Sequence, residues 1–174
     1  MDIKQKIAEL NDELITLRRD FHRHPEIGFE EWRTQKKIIE YLEQLDLEVQ
    51  PMGGTGVLAL LRGAHAGKTI LLRSDIDALP VKEETGLSFS SEEEGKMHAC
   101  GHDGHMAMLL VAAKILAGMR DQLKGTIKFV FQPNEEDAGA YKMIEEGVME
   151  NPQVENAFGV HLWSQTPSGN IDIV

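Results

Sequence analysis

DGHMAMLLVAAKILAGMRDQLKGTIKFVF, residues 103–131, joins two kinds of apolar pattern in one stretch. From Asp103 to about Met119 the residues are apolar almost all round a helical wheel, as expected of a buried helix, and Asp103 is placed to act as its N-cap. Residues 125–131 (GTIKFVF) then read as a strand. Downstream, about 138–149 reads as a helix and 157–162 as a further strand. Upstream, residues 57–61 and 69–72 are compact apolar runs bounded by Gly, Arg and Asp, the pattern of strands covered on both faces and therefore central. Before them come a short strand at 47–49, a turn marked by Gly53, Gly54 and Gly56, and an amphipathic helix over about 30–45 carrying Trp32, Ile38, Ile39, Leu42 and Leu45. Ile3, Ile7, Leu10, Leu14, Leu17 and Phe21 recur every three or four residues and predict one opening helix of about five turns. Strands alternating with helices argue for an α/β layered fold with a largely parallel sheet.

In such sheets functional residues sit just past the carboxyl ends of strands. Three expected strand ends carry polar residues of catalytic type: Arg73, Ser74, Asp75 and Asp77; Gln132, Asn134, Glu135, Glu136 and Asp137; and His161. Residues 97–105 (MHACGHDGH) add the chain's only cysteine, Cys100, with His98, His102 and His105. Taken singly, each has a bland reading: a turn aspartate, an acidic first helical turn, a core histidine or a core cysteine. Their clustering favours a metal centre, because thiolate and imidazole suit borderline-soft cations such as zinc. A second cysteine is absent, so an intrachain disulfide and a four-cysteine finger are excluded. A Cys-x-His pair that must recruit distant ligands fits an open catalytic site better than a closed structural one. Of two adjacent glutamates, one can bind metal while the other takes a proton from water. Hydrolysis of an amide or ester follows.

Composition excludes other classes. With 174 residues, 41% of them hydrophobic, the chain suits one domain with a real core. The longest apolar run, residues 106–113, falls far short of the roughly 20 needed to cross a bilayer, and no signal pattern opens the chain. A soluble cytoplasmic protein with no membrane partner is expected. A net charge of −11 without a basic stripe argues against nucleic acid. GAHAGKT (residues 63–69) has a phosphate-loop flavour, but its first glycine is one position out and a strand follows where a helix is needed.

FHRHPEIGFEE (21–31), RSDIDALP (73–80), MHACGHDGH (97–105), FQPNEE (131–136) and GVHLW (159–163) stand in the order and approximate spacing of the M20 metallopeptidase family. The chain resembles its amidohydrolase branch, which includes N-acyl-L-amino acid amidohydrolases, hippurate hydrolases and N-acetyldiaminopimelate deacetylases. The resemblance implies a three-layer α/β/α zinc-peptidase-like catalytic domain holding two divalent metal ions: zinc, manganese, cobalt or nickel. It implies Cys100 as the bridging ligand, His102 and His161 as ligands of one ion, Glu136 as a ligand of the other, Glu135 as catalytic base and Asp77 as the aspartate that orients a ligand. Asp75 stands where other branches have a metal-binding histidine and is not expected to bind metal here. His98 and His105 have no ligand role in the pattern, although His105 can support the site from one turn along the helix.

Family members run to roughly twice this length, which is more than one domain's worth. Residues 1–174 therefore read as the N-terminal part of the catalytic domain, without the lid and dimerisation domain, the C-terminal part of the sheet and a last histidine ligand. An N-acyl amino acid is the implied substrate. An interrupted sheet predicts an exposed apolar edge and self-association into a homo-oligomer, with little amidase activity in the fragment alone. A non-catalytic metal-binding or interaction module derived from this fold is the alternative. The sequence departs from the family at Asp137, Ala138, Gly139, Ala140 and Tyr141, where a glycine run is usual.

Overall fold

The computed structural model describes residues 2–173. Five strands, β1 (Glu48–Met52), β2 (Gly56–Arg62), β3 (His65–Asp75), β4 (Lys124–Gln132) and β5 (Asn156–Gly159), form one sheet in the order β1-β2-β4-β3-β5. β3 runs parallel to β4 and β5, whereas β1 and β2, and β2 and β4, pair antiparallel. The sheet is thus mixed, with its parallel half on the side of β4, β3 and β5. Each expected strand is present. The midpoint is β4, with β2 and β3 flanking it.

Alternation along the strands sends Val57, Ala59, Leu61, Ile127, Phe129 and Phe131 to one face. There they meet α2 (Asn11–Arg23), α3 (Trp32–Glu43) and α4 (His102–Ala117) through Phe21, Ile38, Leu42, Met106 and Leu110. Leu58, Leu60, Leu71 and Val130 point to the other face, against Met143, Val148 and Val154. Both faces are covered, which is why β2 reads as an uninterrupted apolar run. The second outer layer is thin, consisting of the six-residue α5 (Ala140–Glu145) and the turns after it. Lys128 lies fully buried beneath it, and its ammonium donates to the carbonyls of Val148, at 2.8 Å, and Glu150.

The opening helix divides at Leu10 into α1 (Ile3–Glu9) and α2. Its stripe is real, but only Leu10, Leu17 and Phe21 are buried; Ile3 and Ile7 stay exposed because α1 extends past the core. Trp32, counted with the buried stripe of α3, is 61% exposed. Asp103 is not the N-cap of α4. Gly101 holds that position at φ 87, a left-handed backbone that glycine adopts without strain. Asp103 turns instead into the core and binds His22 and Arg18. Among the described residues, no helix is long and apolar enough to cross a membrane.

Candidate metal centre

Parallel pairing brings three strand ends to one edge. Asp75 lies opposite Gln132 across β3 and β4, and Arg73 opposite Gly159 across β3 and β5, so the segments carrying Asp77, Glu135, Glu136 and His161 emerge side by side. The N-terminus of α4 meets this edge and delivers Cys100 and His102. The segment at residues 21–31 braces the same edge. Glu26 accepts the backbone N–H groups of Arg33 and Thr34 at 3.1 and 2.8 Å, which satisfies the open first turn of α3. Its own carbonyl accepts from Ala78, just beyond Asp77.

His102 is fully buried. Its Nδ1 donates to the backbone carbonyl of Asp77 at 2.8 Å and lies 3.2 Å from that residue's Oδ1. This fixes the tautomer and leaves the Nε2 lone pair free, and Nε2 is a buried atom with no hydrogen-bond partner. His161 is set the same way: Nδ1 donates to the carbonyl of Leu162 at 2.7 Å, and Nε2 faces Cys100 Sγ at 3.4 Å. Ligand atoms of Cys100, His102 and Glu136 all lie within 4.8 Å of one another. A buried, orphaned imidazole nitrogen between a thiol and a carboxylate is the donor set that a divalent cation satisfies, so these residues fit the expected metal. Burial, with Glu136, Asp75 and Glu135 nearby, pushes the Cys100 thiol up to about 11.

Asp75, His102, His105 and His161 form a second group of the same compactness. Donor availability separates the two. Asp75 Oδ1 is taken by His105 Nδ1 at 2.6 Å and Oδ2 by Arg73 Nη1 at 2.8 Å, while His105 Nε2 accepts the N–H of Leu162 at 2.8 Å. Asp75 and His105 are therefore engaged with protein, and together they tether the segment bearing His161. His98 is buried with both nitrogens unpartnered, and burial holds its pKa down to about 4.

Asp77 accepts the N–H of Glu136 at 3.1 Å. Burial opposes ionisation of Asp77, but the bonds from His102 and from the Glu135–Glu136 backbone outweigh it and hold the carboxyl below its usual value. Glu135 is only partly covered; its Oε2 lies 3.9 Å from His102 Nε2 and its Oε1 3.7 Å from Arg73 Nη2. The sequence places Arg73 among the polar residues of that strand end but assigns it no role in the site. Its position directly after the apolar run at 69–72 was the available signal, since a buried strand tolerates a cation only beside an anion.

The profile described as Peptidase family M20/M25/M40 matches residues 71–174. The chain is 45% identical over 172 residues to a protein named thermostable carboxypeptidase 1 from Saccharolobus solfataricus, covering 96% of this chain and 43% of that one. It is 43% identical over 176 residues to an N-acyl-L-amino acid amidohydrolase from Geobacillus stearothermophilus, covering 99% and 47%. A solved Bacillus subtilis structure, described as a dinuclear metal binding peptidase from the M20 family, superposes with a TM-score of 0.87 at 44% identity, covering 92% of this chain and 45% of that one. The chain thus spans less than half the length of these relatives. Matching profile, matching fold and a strand-end donor cluster in the matched region agree: the chain belongs to the peptidase family M20/M25/M40.

Proposed function

We propose that the protein containing this chain is a metal-dependent amidohydrolase that removes the acyl group from N-acylated amino acids. The observation that carries the reading is the orphaned His102 Nε2, set beside Cys100 and Glu136, with a second carboxylate, Glu135, within 3.9 Å of it. Cys100, His102, His161 and Glu136 would hold two divalent cations, and zinc suits the Cys/His donors best, with manganese, cobalt or nickel compatible. Such cations, when bound, polarise an amide carbonyl and acidify water.

The remaining work belongs to side chains. Glu135 takes the proton of the attacking water and returns it to the departing amine as the C–N bond breaks, leaving the carboxylic acid and the free amino acid. Arg73, with Nη2 3.7 Å from Oε1, orients the Glu135 side chain. Asp77 keeps His102 in the tautomer whose Nε2 would be available to a cation, and it holds the Glu136 backbone. A ligand thiol must stay reduced, which fits the cytoplasm. An amidohydrolase at 43% identity supports the substrate class.

The test uses the complete protein and a panel of N-acyl amino acids. Glu135→Gln should lower kcat by about 100-fold or more, the usual worth of a general base, with metal content unchanged by elemental analysis. Cys100→Ala should lose metal and activity together. Metal retained at Cys100→Ala, or activity retained at Glu135→Gln, would remove those residues from their roles. A metal-loaded parent protein with no turnover on the panel would leave a non-catalytic metal-binding module.

A further inference from the structure

Glu31 is fully buried, yet nothing in the chemistry above uses it. Its Oε1 accepts the backbone N–H of Asn134 at 2.9 Å, and its Oε2 accepts the hydroxyl of Thr55. Burial raises its pKa, while both of those bonds and that of its own backbone act against the rise. A buried carboxylate is costly unless its bonds are needed. The bond to Asn134 joins residues 103 positions apart, and Asn134 immediately precedes the Glu135–Glu136 pair.

That pair leaves β4 through an unusual path. Asn134 sits in the left-handed region at φ 47, ψ 49, and Ala138 closes the same turn at φ 61. Non-glycine residues hold such conformations only where the surroundings impose them. Here the surroundings are identifiable. A Cβ on Gly28 would come within 1.8 Å of Asn134 Oδ1, so the turn is packed tightly against the segment that carries Glu31. Gln35 donates from Nε2 to the carbonyls of Gly54, at 3.0 Å, and Gly56, at 2.9 Å, which holds Thr55 against Glu31. On the other side, Asp77 accepts the N–H of Glu136. The turn is thus suspended by its backbone from two buried carboxylates, Glu31 at Asn134 and Asp77 at Glu136.

We infer that Glu31 is a positioning residue for the Glu135–Glu136 turn: it touches neither substrate nor cation, and through the Asn134 amide it sets where the proposed base and ligand point. The roles of Glu135 and Glu136 rest on the function proposed above; the backbone tether does not. Gln at position 31 keeps a carbonyl for Asn134 and an amide for Thr55, so Glu31→Gln should behave like the parent. Glu31→Ala should not.

In the metal-free chain, ¹H–¹⁵N spectra of Glu31→Ala should show the Asn134, Glu135 and Glu136 amides displaced and the exchange of Asn134 faster by about tenfold or more, the loss expected for one buried hydrogen bond. Zinc affinity by chelator competition should fall about 10- to 100-fold, as for other groups that orient ligands. In the complete protein kcat should fall with KM unchanged, and Glu31→Gln should restore all three readouts. Thr55→Val serves as the packing control, since it disturbs the same buried cluster without touching the Asn134 bond, and should leave the Asn134 amide in place. If Glu31→Ala fails to fold, Glu31→Leu, which refills the volume, replaces it. An unmoved Asn134 amide with unchanged zinc affinity would make Glu31 a core residue only and overturn the assignment, as would a Gln variant as damaged as the Ala variant. The spectral and zinc readouts need no turnover, so an inactive parent protein would refute the proposed amidase reaction and not the tether.

Discussion

At the scale of single residues, the decisive property is which nitrogen or oxygen is left without a partner. His102 and His105 lie on one face of α4, three residues apart, yet only His102 presents a free nitrogen, because Asp75 and the Leu162 amide consume both of His105's. Local spacing identified both histidines as near the site; the distinction depends on β3 and the segment after β5 arriving at the same place. Ala138 shows a local departure with a consequence. It occupies φ 61, and an L-residue there costs about 1–2 kcal/mol. Ala138→Gly should therefore raise unfolding free energy by about 1 kcal/mol, offset in part by the greater freedom of glycine in the unfolded chain. Urea titration checks it, and a loss of stability would mean that the turn bears no strain at Ala138.

At the scale of elements, the long segment between β3 and α4, which carries Cys100 near its end, contains no regular helix or strand and is held by scattered backbone bonds, such as those between Leu79 and Met97, together with side chains. His22 on α2 is one of the side chains that hold it, joining Glu83 of the segment to Asp103 of α4. Nδ1 faces Asp103 at 2.8 Å and Nε2 faces Glu83 at 3.2 Å, with Arg18 also on Asp103 and the Phe89 ring edge-on at 5.5 Å. An imidazole between two carboxylates favours the doubly protonated form. The bond to Asp103 raises its pKa above 6.5, burial works against this, and Glu83 adds to the rise. A raised folded pKa means that folding takes up a proton, so the stabilisation is complete below about 6.5, the unfolded value, and is lost as pH rises through the folded value. The stability gap between the parent chain and His22→Gln should accordingly be widest in mild acid and narrow toward alkaline pH, as measured by urea unfolding at several pH values. A gap independent of pH would show that His22 anchors the segment by packing alone. This contact explains the first of the two histidines in residues 21–31, a motif whose presence was legible but whose physical task was not, since the partners of His22 stand 61 and 81 residues away.

At the scale of the molecule, β5 pairs only with β3 among the described residues, which leaves an apolar edge of the sheet open. Phe158, Val160 and Trp163, on and just after β5, are 57, 66 and 63% exposed. Unpaired strand edges of this kind recruit further chain. The 174-residue chain in isolation should self-associate, and Phe158→Lys should shift it toward monomer in light scattering; a monodisperse parent monomer would contradict this. Local pattern determined which segments become strands and helices, because alternation and the 3.6-residue stripe record burial on one face or two. It also determined which loops carry thiol, imidazole and carboxylate. Only the tertiary structure decided that β4 is the midpoint, that β1 and β2 pair antiparallel, that Lys128 is buried beneath a thin layer, and that Glu31 reaches Asn134. Those outcomes depend on contacts between segments far apart in sequence. A hydrogen bond of 2.9 Å across 103 residues leaves no trace in the periodicity of either end.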